Sequence, residues 1–148
     1  MSFPIQDNRG KSVTVIAAID EVKGLRHYYI FKGSNNTDRF VHFMERLVNE
    51  IHALYSVVVM DNLSIHKTHR VRDIFSRHKN IEAFYLPPYS CNLNPIEKYW
   101  RVLKGYWRRY LVQHHMDKMK DVGVVPILGE IMDNIPKYVV RNICQDNI

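Results

Sequence analysis

A chain of 148 residues, 46% of them hydrophobic, can bury a core as one globular domain, which excludes an intrinsically disordered protein. The sequence contains no apolar run of about 18 residues and starts without the charged and apolar regions of a signal peptide, so we expect an intracellular protein without a membrane span. Cys91 and Cys144 show no metal-ligand or disulfide spacing and are expected to be free thiols. The net charge of +6 suits a polyanionic partner but is a weak indication by itself.

The first predicted elements are two strands and a helix. β-branched and aromatic residues over 12–19 and 25–31 predict a hairpin, and Gly24 can supply the positive φ that its turn needs. Apolar residues then recur at helical spacing, which predicts a long helix over 37–54. Its candidate N-caps are Asn35, Asn36 and Thr37.

Two further strands flank a second helix. The apolar run over 56–61 predicts an interior strand that is buried on both faces and ends at Asp61. A helix over 68–78 follows, and residues 81–86 form the next predicted strand. Pro87-Pro88 should end that strand, because proline cannot donate a ladder hydrogen bond.

The last predicted elements are helices. Asn94 and Pro95 are suited to the start of a helix that runs to about Leu111, with Trp100 and Trp107 expected on its core side. Beyond residue 114, two short helices over 126–135 and 137–144 are predicted, separated by Pro136. The alternation of strands and helices after a hairpin predicts an α/β domain with a mixed sheet and right-handed crossovers. Binding sites in such sheets lie at the carboxyl ends of parallel strands, where Asp61 is placed.

Asp61 and Glu97 are carboxylates that leave rigid elements, one a strand and one a helix. Cleavage of a phosphodiester by two hard divalent cations about 3.5–4 Å apart needs several carboxylates held in this way. The helix dipole at the first turn would favour ionised Glu97. Each residue also has a purely structural interpretation: Asn94 and Glu97 have the spacing of a capping box, and Asp61 before Asn62 could be a turn residue. The residues alone leave both interpretations open.

Two segments carry a family resemblance. The first is Met60-Asp61-Asn62 with His66-Lys67, and the second runs from Leu86 to Lys104 as LPPYSCNLNPIEKYWRVLK. Together they resemble the DDE transposases of the insertion-sequence and mariner superfamily, which are RNase H-like enzymes. The resemblance covers about residues 12–110 and is densest over 57–104.

The resemblance implies roles for individual residues. Asp61 corresponds to the second catalytic acid and Glu97 to the third, both as ligands of Mg²⁺ or Mn²⁺, with two ions in the complete site. Asn62 and His66 match positions near that site, although His66 could equally be an exposed residue at the start of a helix. The segment Ser90-Cys91-Asn92 lacks the proline that usually follows the serine, which would loosen the loop without moving Glu97.

The first acid of the family has no counterpart that we can assign. Asp7 lies in a segment with Pro4 and Gly10 and no strand pattern, and Asp20 is too close to Asp61 in the sequence by family comparison. We therefore expect residues 1–148 to be a partial catalytic domain with an RNase H-like mixed sheet that lacks its first, central strand. The hairpin edge and the strand over 57–60 would then each lack a neighbour. Such a chain alone would be impaired, and a complementing transposase fragment that carries the first strand could restore it. A homodimer is a further expected assembly.

The resemblance also implies DNA as the partner, both transposon ends and target. Several basic residues are candidates for phosphate contacts with salt-sensitive, largely sequence-independent binding, although a solvated helix face is the simpler interpretation. These candidates are Lys67, Lys98, Arg101, Lys104 and Arg108. The expected compartment is the cytoplasm or nucleoid of a prokaryote, or the nucleus of a eukaryote. The alternative to a transposition enzyme is a non-catalytic remnant that binds DNA or another transposase chain.

Overall fold

The computed structural model describes residues 2–6, 12–114 and 123–146. They belong to two compact units. We call Asn35–Asn94 the parallel-sheet unit, and Ser2–Ser34 with Pro95–Ile148 the hairpin unit. Within the described residues, none of the helices combines the length and the apolar character that a membrane crossing requires.

The hairpin unit contains a three-stranded antiparallel sheet in the order β1-β2-β3. Strands β2 (Ser12–Asp20) and β3 (Gly24–Lys32) form the predicted hairpin, with a register shift between Ala18 and Ile19. Gly24 has φ 81°, and a Cβ there would lie 3.3 Å from the carbonyl oxygen of Lys137. Glycine is therefore suited to this turn both by its backbone conformation and by the close approach of a neighbouring segment.

Strand β1 (Ser2–Gln6) was not predicted from the sequence, and the expectation of no strand around Pro4 was wrong. It pairs antiparallel with β2, from Ser2 opposite Ile16 to Gln6 opposite Ser12. It lies at the edge of the three-stranded sheet as described, where a proline is tolerated because its missing N–H is not needed by a further strand. The edge of β2 thus has a neighbour. Strand β1 contains no acidic residue and so does not supply the missing first acid, and Asp7 lies outside the described residues.

Three helices pack in the hairpin unit: α3 (Ile96–His114), α4 (Val124–Asn134) and α5 (Lys137–Gln145). Helix α3 contacts α4, α5 and β2, while α4 and α5 contact β3. Trp100 and Trp107 are buried, which confirms their expected place on the core side of α3. As predicted, Pro136 separates the last two helices, immediately before α5.

The parallel-sheet unit contains helices α1 (Thr37–Ile51) and α2 (His69–Ser76), which contact each other. Asn36 caps α1 by accepting a hydrogen bond from the N–H of Arg39 at 2.9 Å. Helix α1 ends three residues before the predicted limit, because the chain must turn to enter the next strand. Its apolar stripe is buried as the periodicity predicted: Phe40, Val41, Phe43, Met44, Leu47 and Val48.

Strands β4 (Ser56–Met60) and β5 (Ile81–Tyr85) pair in parallel as a separate two-stranded sheet. The predicted burial of β4 on both faces is wrong, because Val57 and Val59 are 49% and 43% exposed. Phe84, which is opposite Val59 in the register, is 53% exposed on the same face. Only the face with Val58 and Met60 is shielded, and among the described strands β4 pairs with β5 alone.

The turn between β2 and β3 is held by Asp20. Its Oδ1 accepts hydrogen bonds from the N–H groups of Val22 at 2.9 Å and Lys23 at 2.6 Å, and its Oδ2 pairs with Nε of Arg26 at 2.6 Å. Burial opposes ionisation of this carboxyl, but the hydrogen bonds from Lys23, Arg26 and Val22 outweigh burial and lower its pKa. Asp20 therefore has a structural role in the hairpin.

Replacing Asp20 tests that role. Asp20→Ala should lower the free energy of unfolding by about 1–2 kcal/mol at pH 7, and Asp20→Asn by roughly half as much, because its amide oxygen can still accept from the turn. Since the folded-state pKa is lowered, this stabilisation is fully present above the usual value of 3.8 and is lost as the pH falls through the folded-state value. Urea unfolding at pH 7 and at a series of lower pH values measures both effects. A difference between wild type and Asp20→Asn that does not decrease as the pH falls below 3.8 would contradict the assignment.

Candidate functional site

Asp61 follows the last residue of β4 and is 4% exposed. The side-chain amide of Asn94, which is also buried, lies 3.4 Å from Oδ1 of Asp61 and donates to it. Oδ2 of Asp61 is buried and has no hydrogen-bond partner within the described residues. A buried carboxylate oxygen in this situation is unfavourable unless a cation or a donor is supplied.

The main chain at Asp61 is held by His66. Nδ1 of His66 lies 3.0 Å from the carbonyl oxygen of Asp61, and the ring stacks on Phe40 with centroids 4.5 Å apart. Burial lowers the pKa of His66 to about 4, so the ring is neutral at pH 7. A carbonyl oxygen can only accept, so Nδ1 carries the proton of the neutral ring.

His66 is 2% exposed, so the alternative of an exposed residue at the start of a helix was wrong. The hydroxyl of Tyr85, at the end of β5, donates to the carbonyl oxygen of His66 at 2.8 Å and ties this segment to the second strand. In the sequence, the only signal for the position of His66 was its short distance from Asp61 and Asn62. Its stacking on Phe40 of α1 had no local signal.

The loop from Leu86 to Asn94 is attached at both ends to the carboxyl end of β4. The N–H of Leu86 donates to the carbonyl oxygen of Met60 at 2.8 Å, and Asn94 donates to Asp61 at the other end. Inside the loop, the N–H of Ser90 donates to the carbonyl oxygen of Pro87 at 3.2 Å. Cys91–Leu93 then form a short 3₁₀ turn, so the segment that lacks the expected proline is still hydrogen-bonded.

Glu97 belongs to the hairpin unit and lies in the first turn of α3, where it is half-buried. The carbonyl oxygen of Pro95 accepts hydrogen bonds from Lys98 at 3.1 Å and Tyr99 at 3.3 Å, so the first turn of α3 closes on the proline that precedes Ile96. Pro95 was predicted as the first helical residue, one position earlier than the observed start. The dipole of α3 favours an ionised carboxylate at this end. In the sequence, Glu97 follows Asn94 by three positions.

Other acids do not complete a cluster. Among residues 2–6, 12–114 and 123–146, no group of three His, Cys, Asp or Glu side chains is arranged to hold a metal ion. Asp20 is engaged in the hairpin turn, as described above.

The basic candidates lie on two elements. On α3, Arg101, Lys104 and Arg108 are exposed and Lys98 is half-buried. In the parallel-sheet unit, the ammonium of Lys67 lies 5.9 Å from the centroid of the Tyr85 ring, and the side chain is half-buried. The structure therefore leaves the face of α3 accessible to a polyanion.

Comparison with protein families identifies the chain. Residues 5–119 match the family described as DDE superfamily endonuclease, which is well over half of the sequence. The chain belongs to the DDE superfamily endonuclease family. No curated protein matches this DDE endonuclease.

Solved structures share the fold of this DDE endonuclease. The catalytic domain of the Mos1 mariner transposase matches with a TM-score of 0.77 and 17% identity, over 99% of this chain and 74% of that chain. The Mos1 catalytic domain with raltegravir and Mg matches with a TM-score of 0.72 and 16% identity, over 99% and 77%. The Mos1 paired-end complex with the left transposon end matches with a TM-score of 0.55 and 15% identity, over 99% and 47%. The predicted RNase H-like α/β class is thereby confirmed.

Removing the His66 ring tests its role at the acid-bearing strand end. His66→Ala should lower the free energy of unfolding of this DDE endonuclease by about 2–4 kcal/mol, because it deletes a buried ring and leaves the Asp61 carbonyl without its donor. His69→Ala, at an exposed position nearby in the sequence, is the control and should change stability by less than about 0.5 kcal/mol. Urea unfolding measures both variants, and equal effects would show that His66 does not hold this segment.

Proposed function

We propose that this chain takes part in DNA cleavage and strand transfer of the transposition type, with Asp61 and Glu97 as two of the carboxylates that hold Mg²⁺ or Mn²⁺. The observation that carries this proposal is the buried Asp61 carboxylate, whose Oδ2 has no hydrogen-bond partner within the described residues. A hard divalent cation prefers oxygen ligands of this type. Membership of the DDE superfamily endonucleases supports the same chemistry.

The role of Glu97 in the proposal rests on its position in the chain. It lies in the first turn of α3, and Asn94, which donates to Asp61, precedes it by three residues. This position in the sequence, together with the family resemblance, is the basis on which we assign Glu97 as a ligand. A capping role for Glu97 remains compatible with metal binding, because a carboxylate has two oxygens.

The chain's own residues would position the metal ligands. Asn94 orients the Asp61 carboxylate by donating to Oδ1, which leaves Oδ2 for the ion. His66 donates to the main-chain carbonyl oxygen of Asp61 and so fixes the backbone from which the carboxylate extends. When bound, the ions, two in the complete site, would activate the attacking water or hydroxyl and stabilise the leaving oxygen.

A third carboxylate is part of the proposal and is not among the residues we assign. We propose that a complementing transposase fragment that carries the first acid supplies it, and that the 148 residues by themselves have impaired activity. Mos1 transposase has been solved as a strand transfer complex and as a paired-end complex with a transposon end, which supports transposon and target DNA as the partners here.

The second candidate is a non-catalytic module that binds DNA or another transposase chain. It is favoured by one observation: within the described ranges no three potential metal ligands come together. Metal-dependent nicking of DNA, with and without a segment that contains the first acid, separates this candidate from the enzyme.

Divalent metal binding tests the proposed ligands directly. Calorimetric titration of the chain with Mn²⁺ or Mg²⁺ should give weak binding, and Asp61→Asn and Glu97→Gln should each reduce the affinity by about tenfold or more. Glu45→Gln, at an exposed position on α1, is the matched control and should leave the affinity unchanged. Loss of binding in Asp61→Asn alone would remove Glu97 from the ligand set, and unchanged binding in both variants would refute the metal site.

The basic face of α3 gives a second test. Counterion release makes the logarithm of the DNA-binding constant fall linearly with the logarithm of the salt concentration. The double variant Arg101→Glu with Lys104→Glu should reduce this slope by about two, because two phosphate contacts are lost. Lys23→Glu with Lys79→Glu carries the same charge change at exposed positions outside α3 and should alter the slope much less. Equal slopes for the two double variants would exclude α3 as the contact surface.

A further inference from the structure

Tyr89 combines two unfavourable features at the tip of the loop between β5 and Asn94. Its φ is 61°, which makes it the non-glycine residue with positive φ among those the structure describes, and its side chain is 103% exposed. The left-handed conformation is unfavourable for a bulky residue, because its Cβ crowds the following carbonyl oxygen. An exposed ring gains no burial to offset that cost. Strain of this kind at an exposed aromatic indicates a functional role.

The loop holds Tyr89 at the same strand end as Asp61. Leu86 donates to the carbonyl oxygen of Met60, and Asn94 donates to the Asp61 carboxylate, so both ends of the loop are attached to adjacent residues of one strand end. The bond from Ser90 to Pro87 closes a turn around Tyr89 itself. The ring is therefore presented on a tethered loop beside the proposed metal ligand.

Two exposed apolar side chains lie close in the sequence to residues that make these hydrogen bonds. Leu63, two positions after Asp61, is 46% exposed, and Leu93, immediately before Asn94, is 60% exposed. Like Tyr89, these side chains carry no charge, so they do not suit a phosphate, but they suit a flat and apolar ligand face.

Unpaired nucleobases have such a face. Bases in an intact duplex are stacked on their neighbours and cannot stack on a protein ring, whereas a base next to an opened step can. Stacking on an aromatic side chain is tolerant of base identity, because every base has a π-face. Lys67, which is in the same unit, could supply charge for the adjoining backbone.

We propose that Tyr89 stacks on an unpaired base next to the scissile phosphate, so that the site prefers locally opened DNA to an intact duplex. The inference rests on the proposed function and specifies the form of DNA that the site takes. The role assigned to Tyr89 is substrate positioning by a direct contact with a base.

Binding to two DNA probes tests the inference. A forked DNA with an unpaired arm and a fully paired duplex of the same length are titrated by fluorescence anisotropy in EDTA at one salt concentration. Tyr89→Asn and Tyr89→Gly remove the ring, and both residues accept a positive φ, so the loop conformation is kept. Each should weaken fork binding by about tenfold and change duplex binding by less than about twofold. Tyr89→Phe should bind like the wild type.

A matched control and a spectroscopic readout complete the design. Tyr55→Asn removes another exposed tyrosine of the same unit, 68% exposed, and should leave both affinities unchanged. A 2-aminopurine in the unpaired arm should be quenched by the wild type and by Tyr89→Phe but not by Tyr89→Gly. Thermal unfolding should show Tyr89→Gly to be at least as stable as the wild type, which rules out misfolding as the cause.

The outcomes separate the two proposals. If the wild type binds duplex and fork equally, or if Tyr89→Gly weakens both equally, the stacking role is overturned and the proposed DNA function stands. If the wild type binds neither probe at any salt concentration, the proposed function fails and the stacking role fails with it. A fork-specific loss together with unquenched 2-aminopurine supports the inference.

Discussion

The carboxyl end of β4 is the point on which the candidate site depends. Three hydrogen bonds converge there: Leu86 to the carbonyl oxygen of Met60, His66 to the carbonyl oxygen of Asp61, and Asn94 to the Asp61 carboxylate. Each comes from a different stretch of the chain. Together they hold a buried charged group, which folding alone would disfavour, in one orientation. The position of the loop and the presentation of Tyr89 follow from the same contacts.

Features determined by neighbouring residues could be predicted from the sequence. The hairpin followed from two β-rich runs around Gly24, and the start of α1 followed from Asn36 before an apolar repeat. Pro136 divided the last two helices as expected. The family and the fold class could be predicted because the motif residues over 60–67 and 86–104 rarely occur in this order by chance. The roles of Asp61 and Glu97 as metal ligands remain predictions.

Features determined by distant partners could not be predicted. Strand β1 forms because β2 offers it an edge, although its five residues include a proline. The apolar run predicted that Val57 and Val59 are buried, but both are exposed. Their burial would need a covering layer, and the local sequence does not show whether one is present. The ring of His66 stacks on Phe40, which is more than twenty residues earlier in the sequence, and the positive φ of Tyr89 occurs in a turn that Ser90 and Pro87 close by a hydrogen bond.

The contacts of His66 and Leu86 are made to main-chain atoms, and this separates architecture from chemistry at position 61. These two bonds go to the carbonyl groups of Met60 and Asp61 and do not depend on the side chain at position 61, whereas the bond from Asn94 does. A substitution of similar shape at position 61, such as Asp61→Asn, would therefore keep both main-chain hydrogen bonds. Similarity of fold is therefore weak evidence of activity among related chains, because active and inactive descendants of one enzyme would have the same backbone here.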